Sequence, residues 1–212
     1  MKQNKYKFPP QLFITGTDTG IGKTMISAIL VKGLQAAYWK PIQSGLAGET
    51  DTEWAYRNTG LPVTHFLPER YRLTKPLSPH LSARLDGVKI NLNDFHLPEY
   101  EQNHLIIEGA GGIMVPINDQ YFIADLIRQL NIPVLLVARS GLGTINHTLL
   151  TLEKLNSLKV PVFGVVLNGE INSENKKAIE HFGHAKVIAE IDHLSYPAPK
   201  TLQLIFENEF QK

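Results

Sequence analysis

The chain alternates between two hydrophobic patterns. Short, almost wholly apolar runs occupy residues 12–15, 37–42, 105–108, 134–138, 162–167 and 186–191. Their β-branched content and lack of polar alternation predict strands covered on both faces. Between them, residues 23–34, 52–58, 122–130, 145–158 and 173–182 form amphipathic stretches that predict helices. Such alternation predicts a single-domain α/β fold over residues 1–212, with a mostly parallel sheet and helices on both faces. Residues 60–104 depart from it. Pro62, Pro68, Pro76, Pro79 and Pro98 fall there, so loops and short helices are expected, in a place suited to walling a pocket.

The first strand runs into Gly16-Thr17-Asp18-Thr19-Gly20-Ile21-Gly22-Lys23-Thr24, and a helical pattern follows. Strand, Gly-rich turn, Gly-Lys-Thr and helix make a phosphate-binding loop. Consecutive N–H groups there, with the helix N-terminus, create positive potential for phosphate. Lys23 can reach the terminal phosphates and the Thr24 hydroxyl can ligate Mg²⁺. The spacing is irregular: Thr17 stands where a Gly is usual, and Gly16 lies one place early. A chance Gly-rich turn is the alternative, but strand and helix sit where the motif needs them. The loop predicts an NTP-dependent protein, with a P-loop NTPase-like fold.

Ligands of open parallel sheets bind at the carboxyl ends of strands, so polar residues there carry the next argument. Lys40 falls inside the apolar run 37–42, leading into Pro41-Ile42-Gln43-Ser44-Gly45. A lysine in such a run either faces solvent on an edge strand or faces a charge in a cleft. In a cleft it would help gather negative oxygens. Thr50-Asp51-Thr52-Glu53 is a capping-box pattern that alone accounts for Asp51. Leu105-Ile106-Ile107-Glu108 ends an apolar run on an acid, followed by Gly109-Ala110-Gly111-Gly112. With a phosphate loop elsewhere, that acid is expected to serve a Mg²⁺ site. Thr144 is placed to cap the helix that follows, which reads equally as a cap without a ligand and as a helix start whose free N–H groups would suit a carboxylate. Asn168-Gly169 reads equally as a turn dipeptide and as an amide suited to adenine.

Charge and composition narrow the class. The 21 basic and 20 acidic residues give a net charge of +1, with no footprint for nucleic acid or a membrane surface. There is no cysteine, hence neither a disulfide framework nor a Cys metal site. Residues 1–10 lack an apolar signal core and no run reaches membrane-spanning length. A cytoplasmic location is the default. The eight histidines show no metal-ligand spacing.

Together these segments resemble the dethiobiotin synthetase family. The resemblance rests on residues 16–24, Lys40-Pro41-Ile42-Gln43-Ser44-Gly45, Asp51, Ser78-Pro79-His80, Glu108-Gly109-Ala110-Gly111-Gly112, Leu142-Gly143-Thr144-Ile145-Asn146-His147 and Asn168. It spans about residues 11–195, and the irregular loop is the family's own form. One segment departs: the family's Glu-Ile-Pro is here Glu190-Ile191-Asp192-His193.

The resemblance implies ATP- and Mg²⁺-dependent carboxylation of 7,8-diaminononanoate with CO₂ and its closure to dethiobiotin, yielding ADP and phosphate. It implies that Lys40 and Lys23 are catalytic, and that Thr24, Asp51 and Glu108 surround Mg²⁺. ATP would contact Gly20, Ile21, Gly22, Lys23, Thr24, Met25, Asp51, Glu108, Gly109, Ala110, Gly111, Asn168 and Gly169. Substrate would contact Ser44, and its carboxylate Thr144, Ile145 and Asn146 from the other subunit of a homodimer. Two rivals are another ATP-dependent ligase of this fold and a partitioning ATPase switch. The switch proteins carry an early lysine in the loop, where this chain has Asp18. No basic DNA-binding face or terminal membrane helix is evident.

Overall fold

A computed structural model describes residues 4–194 and 196–211. Residues 1–3, within the polar N-terminal stretch, lie outside the described residues, as do Ser195 and Lys212. The elements run β1 (Gln11–Gly16), α1 (Lys23–Leu34), β2 (Ala37–Trp39), β3 (Ile42–Ser44), α2 (Asp51–Thr59), β4 (Phe66–Leu67) and β5 (Tyr71–Leu73). There follow α3 (Pro79–Leu85), β6 (Leu105–Gly112), α4 (Ile123–Leu130), β7 (Val134–Arg139) and α5 (Thr144–Ser157). The chain closes with β8 (Val162–Asn168), α6 (Ser173–Gly183), β9 (Val187–Ile191) and α7 (Pro199–Phe210).

Seven strands form one sheet in the order β4-β2-β6-β1-β7-β8-β9, and every pairing is parallel. β1 is central, with the phosphate loop leaving its carboxyl end. Alternate residues of β1 serve opposite faces, as strand geometry requires. Leu12 and Ile14 join a core beneath α1, α2 and α7, while Phe13 joins the core beneath α4 and α5. A third cluster links β7, β8, α5 and α6. Burial on both faces explains why these runs lack polar alternation.

The run 37–42 is not one strand. β2 ends at Trp39, and β3 pairs with β5 in a separate two-stranded sheet. Pro41 has no N–H to continue a ladder, and its carbonyl accepts from the Arg70 and Tyr71 amides instead. Lys40 therefore lies in the break between two strands rather than inside one. The region 60–104 holds α3, two short strands and two turns of 3₁₀ helix. β6 runs on through the expected glycine turn to Gly112. A side chain at Gly109 would meet the Phe13 ring at 2.7 Å, so glycines let the adjacent strands close up.

α5 begins at Thr144, not after it. Gly143 is the N-cap, with φ 88, and no side chain caps the helix. The Thr144 hydroxyl instead lies 3.3 Å from that of Thr148. α7 covers residues for which the sequence pattern gave no element. The N-terminal segment is tied to its end: Lys5 donates its amide to the Phe210 carbonyl and its ammonium to the carbonyls of Asn208 and Glu209.

Candidate active site

The loop from Thr17 to Gly22 turns the chain from β1 into α1. Gly22 takes φ 94 at the N-cap of α1, a left-handed conformation that favours glycine. A Cβ there would sit 2.2 Å from the Asn168 amide nitrogen. That amide donates to the Ile21 carbonyl at 2.9 Å, so Asn168 at the end of β8 braces the loop directly. Lys23, Thr24 and Met25 form the first turn of α1. The Lys23 ammonium donates back to the Asp18 carbonyl at 2.8 Å. Burial is the main influence on Lys23 and lowers its pKa to about 8, against the opposing pull of Glu108.

Beneath the loop, side chains from α1, α2, β6 and the break after β2 meet. Thr24 Oγ1 donates to Glu108 Oε1 at 2.9 Å and lies 3.1 Å from Asp51 Oδ1. Lys40 Nζ lies 2.5 Å from Asp51 Oδ2 and 3.0 Å from Glu108 Oε1. Burial alone would lower the Lys40 pKa, but Glu108 and Asp51 outweigh it and raise it. Burial likewise opposes ionisation of Asp51, and the Lys40 charge overcomes it and lowers the pKa. Lys40 is thus a charged ammonium held between two carboxylates. Of the two readings of that lysine, the structure gives the buried one.

The cap and the ion pair at Asp51 coexist. Thr50 and Glu53 complete the capping box, which leaves the Asp51 carboxylate free to face Lys40 and Thr24. Gln43 Oε1 accepts from the Asp51 amide at 3.2 Å. Sequence reasoning missed this contact. It also missed Tyr38, whose buried hydroxyl donates to Glu108 Oε2 at 2.9 Å. Tyr38 reads as one more apolar strand residue; the signal lay in its being two residues before Lys40, on the same side of the chain.

A cavity of about 480 Å³ opens beside this cluster, lined by Thr19, Lys40, Ser44, Asp51, Pro79 and Gly111 among others. Residues 76–79 and Ala110 contribute to its wall, as expected for the proline-rich region. The Ser44 hydroxyl is buried there without a hydrogen-bond partner among the described residues. Two of the expected groups lie apart from this cavity. Asn168 and Gly169 stand beyond the phosphate loop, and Thr144, Ile145 and Asn146 open α5 without lining the cavity. A larger hollow of about 650 Å³ lies between α5 and α6, remote from these charges.

Two carboxylates and a hydroxyl supply hard oxygen donors, the chemistry that Mg²⁺ takes, and they leave places for phosphate oxygens and water. Among the described residues no cluster of three or more acidic, His or Cys side chains offers an all-protein metal cage. A phosphate loop, an acid on the neighbouring strand and an open parallel sheet define a P-loop NTP-dependent protein. A family model described as an AAA domain matches residues 10–201. Chloroplast FtsY from Physcomitrella patens superposes with a TM-score of 0.51 at 16% identity, over 92% of this chain and 62% of that one. The MinD–MinC complex of Aquifex aeolicus gives a TM-score of 0.50 at 12% identity, over 92% and 93% of the two chains. Those likenesses concern the fold alone.

Sequence relatives go further. The ATP-dependent dethiobiotin synthetase BioD of Brucella ovis is 48% identical over 200 residues, 94% of each chain. The chain belongs to the ATP-dependent dethiobiotin synthetase family. Its class is therefore that of an ATP-dependent cyclo-ligase of biotin biosynthesis, and the ATPase-switch alternative falls away.

Proposed function

We propose that this chain, as one ligase domain over residues 1–212, converts 7,8-diaminononanoate, CO₂ and ATP into dethiobiotin, ADP and phosphate. The observation that carries the residue assignments is the Lys40 ammonium held between Asp51 and Glu108, beside a cavity with an unsatisfied Ser44 hydroxyl. One substrate amine adds to CO₂ and loses a proton, giving a carbamate. A carbamate oxygen attacks the γ-phosphorus as ADP leaves. The second amine then attacks the carbamoyl carbon, the ring closes and phosphate departs. Each stage gathers negative charge, which favours fixed positive groups aimed at it.

In this reading the amides of Gly20, Ile21 and Gly22, with Lys23, Thr24 and Met25, hold the triphosphate. Gly109, Ala110 and Gly111 admit it closely, and Asn168 and Gly169 border the base. Lys40 faces the carbamate and the transferring phosphoryl group. Thr24, Asp51 and Glu108 would hold Mg²⁺, which would neutralise phosphate charge when bound. Ser44 hydrogen-bonds the diamine. The substrate carboxylate rests on the start of α5, at Thr144, Ile145 and Asn146, of the other subunit of a homodimer. Support comes from the separation of those residues from the cavity that contains Ser44. A helix start with free N–H groups suits a carboxylate. The setting is cytoplasmic, since ATP is the co-substrate.

The test is direct. Protein, ATP, Mg²⁺, bicarbonate and the diamine are incubated, and dethiobiotin is sought by mass. ATP hydrolysis that ignores the diamine, with no product, would overturn the proposal.

A further inference from the structure

Lys40 and Tyr38 sit two positions apart at the end of β2, and both reach the same carboxylate. Residues i and i+2 of an extended chain point to one side. In the ladder Tyr38 is level with Ile106, so Glu108 lies two residues further along β6 on the same face. The two side chains divide the carboxylate between them. Tyr38 donates to Oε2, whereas Lys40 and Thr24 both address Oε1.

We infer that Tyr38 is a positioning residue: its hydroxyl locks the Glu108 carboxylate so that Oε1 is presented to Thr24, Lys40 and the nucleotide site. The inference rests on the proposed role of Glu108 there. Tyr38 is suited to the task because it has no freedom of its own. Both side chains are almost wholly shielded from solvent, at 0% exposure for Tyr38 and 1% for Glu108. The Tyr38 ring packs against Phe66 with centroids 6.0 Å apart, and Phe66 in turn meets Tyr56 at 5.5 Å. A ring wholly buried in the core has little room to move its hydroxyl. Without that donor Oε2 has no partner among the described residues, and the carboxyl group is free to rotate toward Lys40. Outer partners of this kind typically govern about 10–100-fold in metal affinity or activity.

Tyr38→Phe keeps the ring and removes only the donor. Three quantities are read on it: melting temperature, the Mg²⁺ midpoint for binding a non-hydrolysable ATP analogue, and kcat with diamine KM. The expected result is a midpoint raised about tenfold and kcat lowered about tenfold or more, with diamine KM unchanged. Phe66→Leu loosens the same ring without touching the carboxylate's donor. It should lower the melting temperature and raise the midpoint by less than Tyr38→Phe does, because the hydroxyl is kept but held less firmly. In a Glu108→Gln background, Tyr38→Phe should move the midpoint no further. If Glu108→Gln shifts midpoint and kcat but Tyr38→Phe shifts neither, Tyr38 is only structural and the inference is overturned. If Glu108→Gln itself shifts nothing, the underlying assignment of Glu108 fails instead.

Discussion

Lys40→Met removes one charge from the centre of the site while keeping an unbranched apolar stem of similar length. The lost ammonium lies 2.5 Å from Asp51 and 3.0 Å from Glu108. Its loss leaves two neighbouring carboxylates without their shared cation, one 1% and the other 36% exposed at the side chain. Breaking a fully buried pair costs about 3–5 kcal/mol. Because Asp51 can draw on water, the lower end applies, about 3 kcal/mol. For a chain of this size that is roughly 6–12 °C in melting temperature. Mg²⁺ should restore much of it, since a ligand at a hundred times its Kd adds about 2.7 kcal/mol. The gain should exceed that in wild type, where the ammonium already holds the carboxylates. On the proposed role of Lys40 against charge developing during transfer, turnover should nevertheless fall by about 10²–10³ and stay low with added metal.

The pH dependence has a definite sign. Lys40, raised above 10.5, contributes fully below that value and is lost as pH climbs through its folded pKa. Asp51, lowered below 3.8, contributes above 3.8 and is lost as pH falls through its folded pKa. The stability gap between wild type and Lys40→Met should hold across neutral pH and narrow below 3.8. Thermal melts at several pH values with and without Mg²⁺, together with product assays, make the comparison. Near wild-type turnover, or an unchanged melting temperature without metal, would refute the reasoning.

Thr50→Ala should lower stability by about 1 kcal/mol through the lost cap and leave the Mg²⁺ midpoint alone, whereas Asp51→Asn should raise that midpoint; melts and titrations on both variants separate cap from ligand. Lys23, with a pKa of about 8, binds a proton less readily when folded than when unfolded, so its contribution makes stability rise with pH between about 8 and 10.5. Phosphate should draw that proton back, so calorimetry in two buffers near pH 8.5 should detect proton uptake on ATP binding, absent in Lys23→Met. Gly33→Ala should destabilise by about 1–3 kcal/mol in urea unfolding, because its Cβ would fall 1.9 Å from the Phe206 ring and overpacking outweighs the gain in helix propensity. If the proposed homodimer shares its site, dilution to the monomer should abolish diamine binding while sparing ATP, as calorimetry beside ultracentrifugation can test.

Local signals carried most of the architecture into the sequence. The strand–loop–helix of residues 11–34 was legible because burial on both faces and a glycine turn are written in consecutive residues. Lys40 was legible as either an edge-strand lysine or a charge in a cleft, yet its strand was drawn too long. Pro41 held the correction, since a residue without an N–H cannot continue an interior ladder. α7 was missed although Pro199 suits a first turn and Leu202, Phe206 and Phe210 recur at four-residue spacing. Thr144 was taken for a cap because its type favours that position, but glycine at 143 supplies the left-handed entry. Tyr38 and Gln43 were out of reach for a different reason. Their importance comes from Glu108 and Asp51, which only the assembled sheet brings to them.

The centrality of β1 also governs when the site can come into being. Gln11 is level with Leu105, and Phe13 with Val134, so the first strand has no ladder partner until about half the chain exists. Pairing across such separations carries a loop-closure cost before it is rewarded. During synthesis, β1 and its glycine loop must wait as an exposed apolar segment while some ninety residues follow it from the ribosome. Such a segment is vulnerable to aggregation, and chaperone dependence should be greatest for nascent chains arrested before β6.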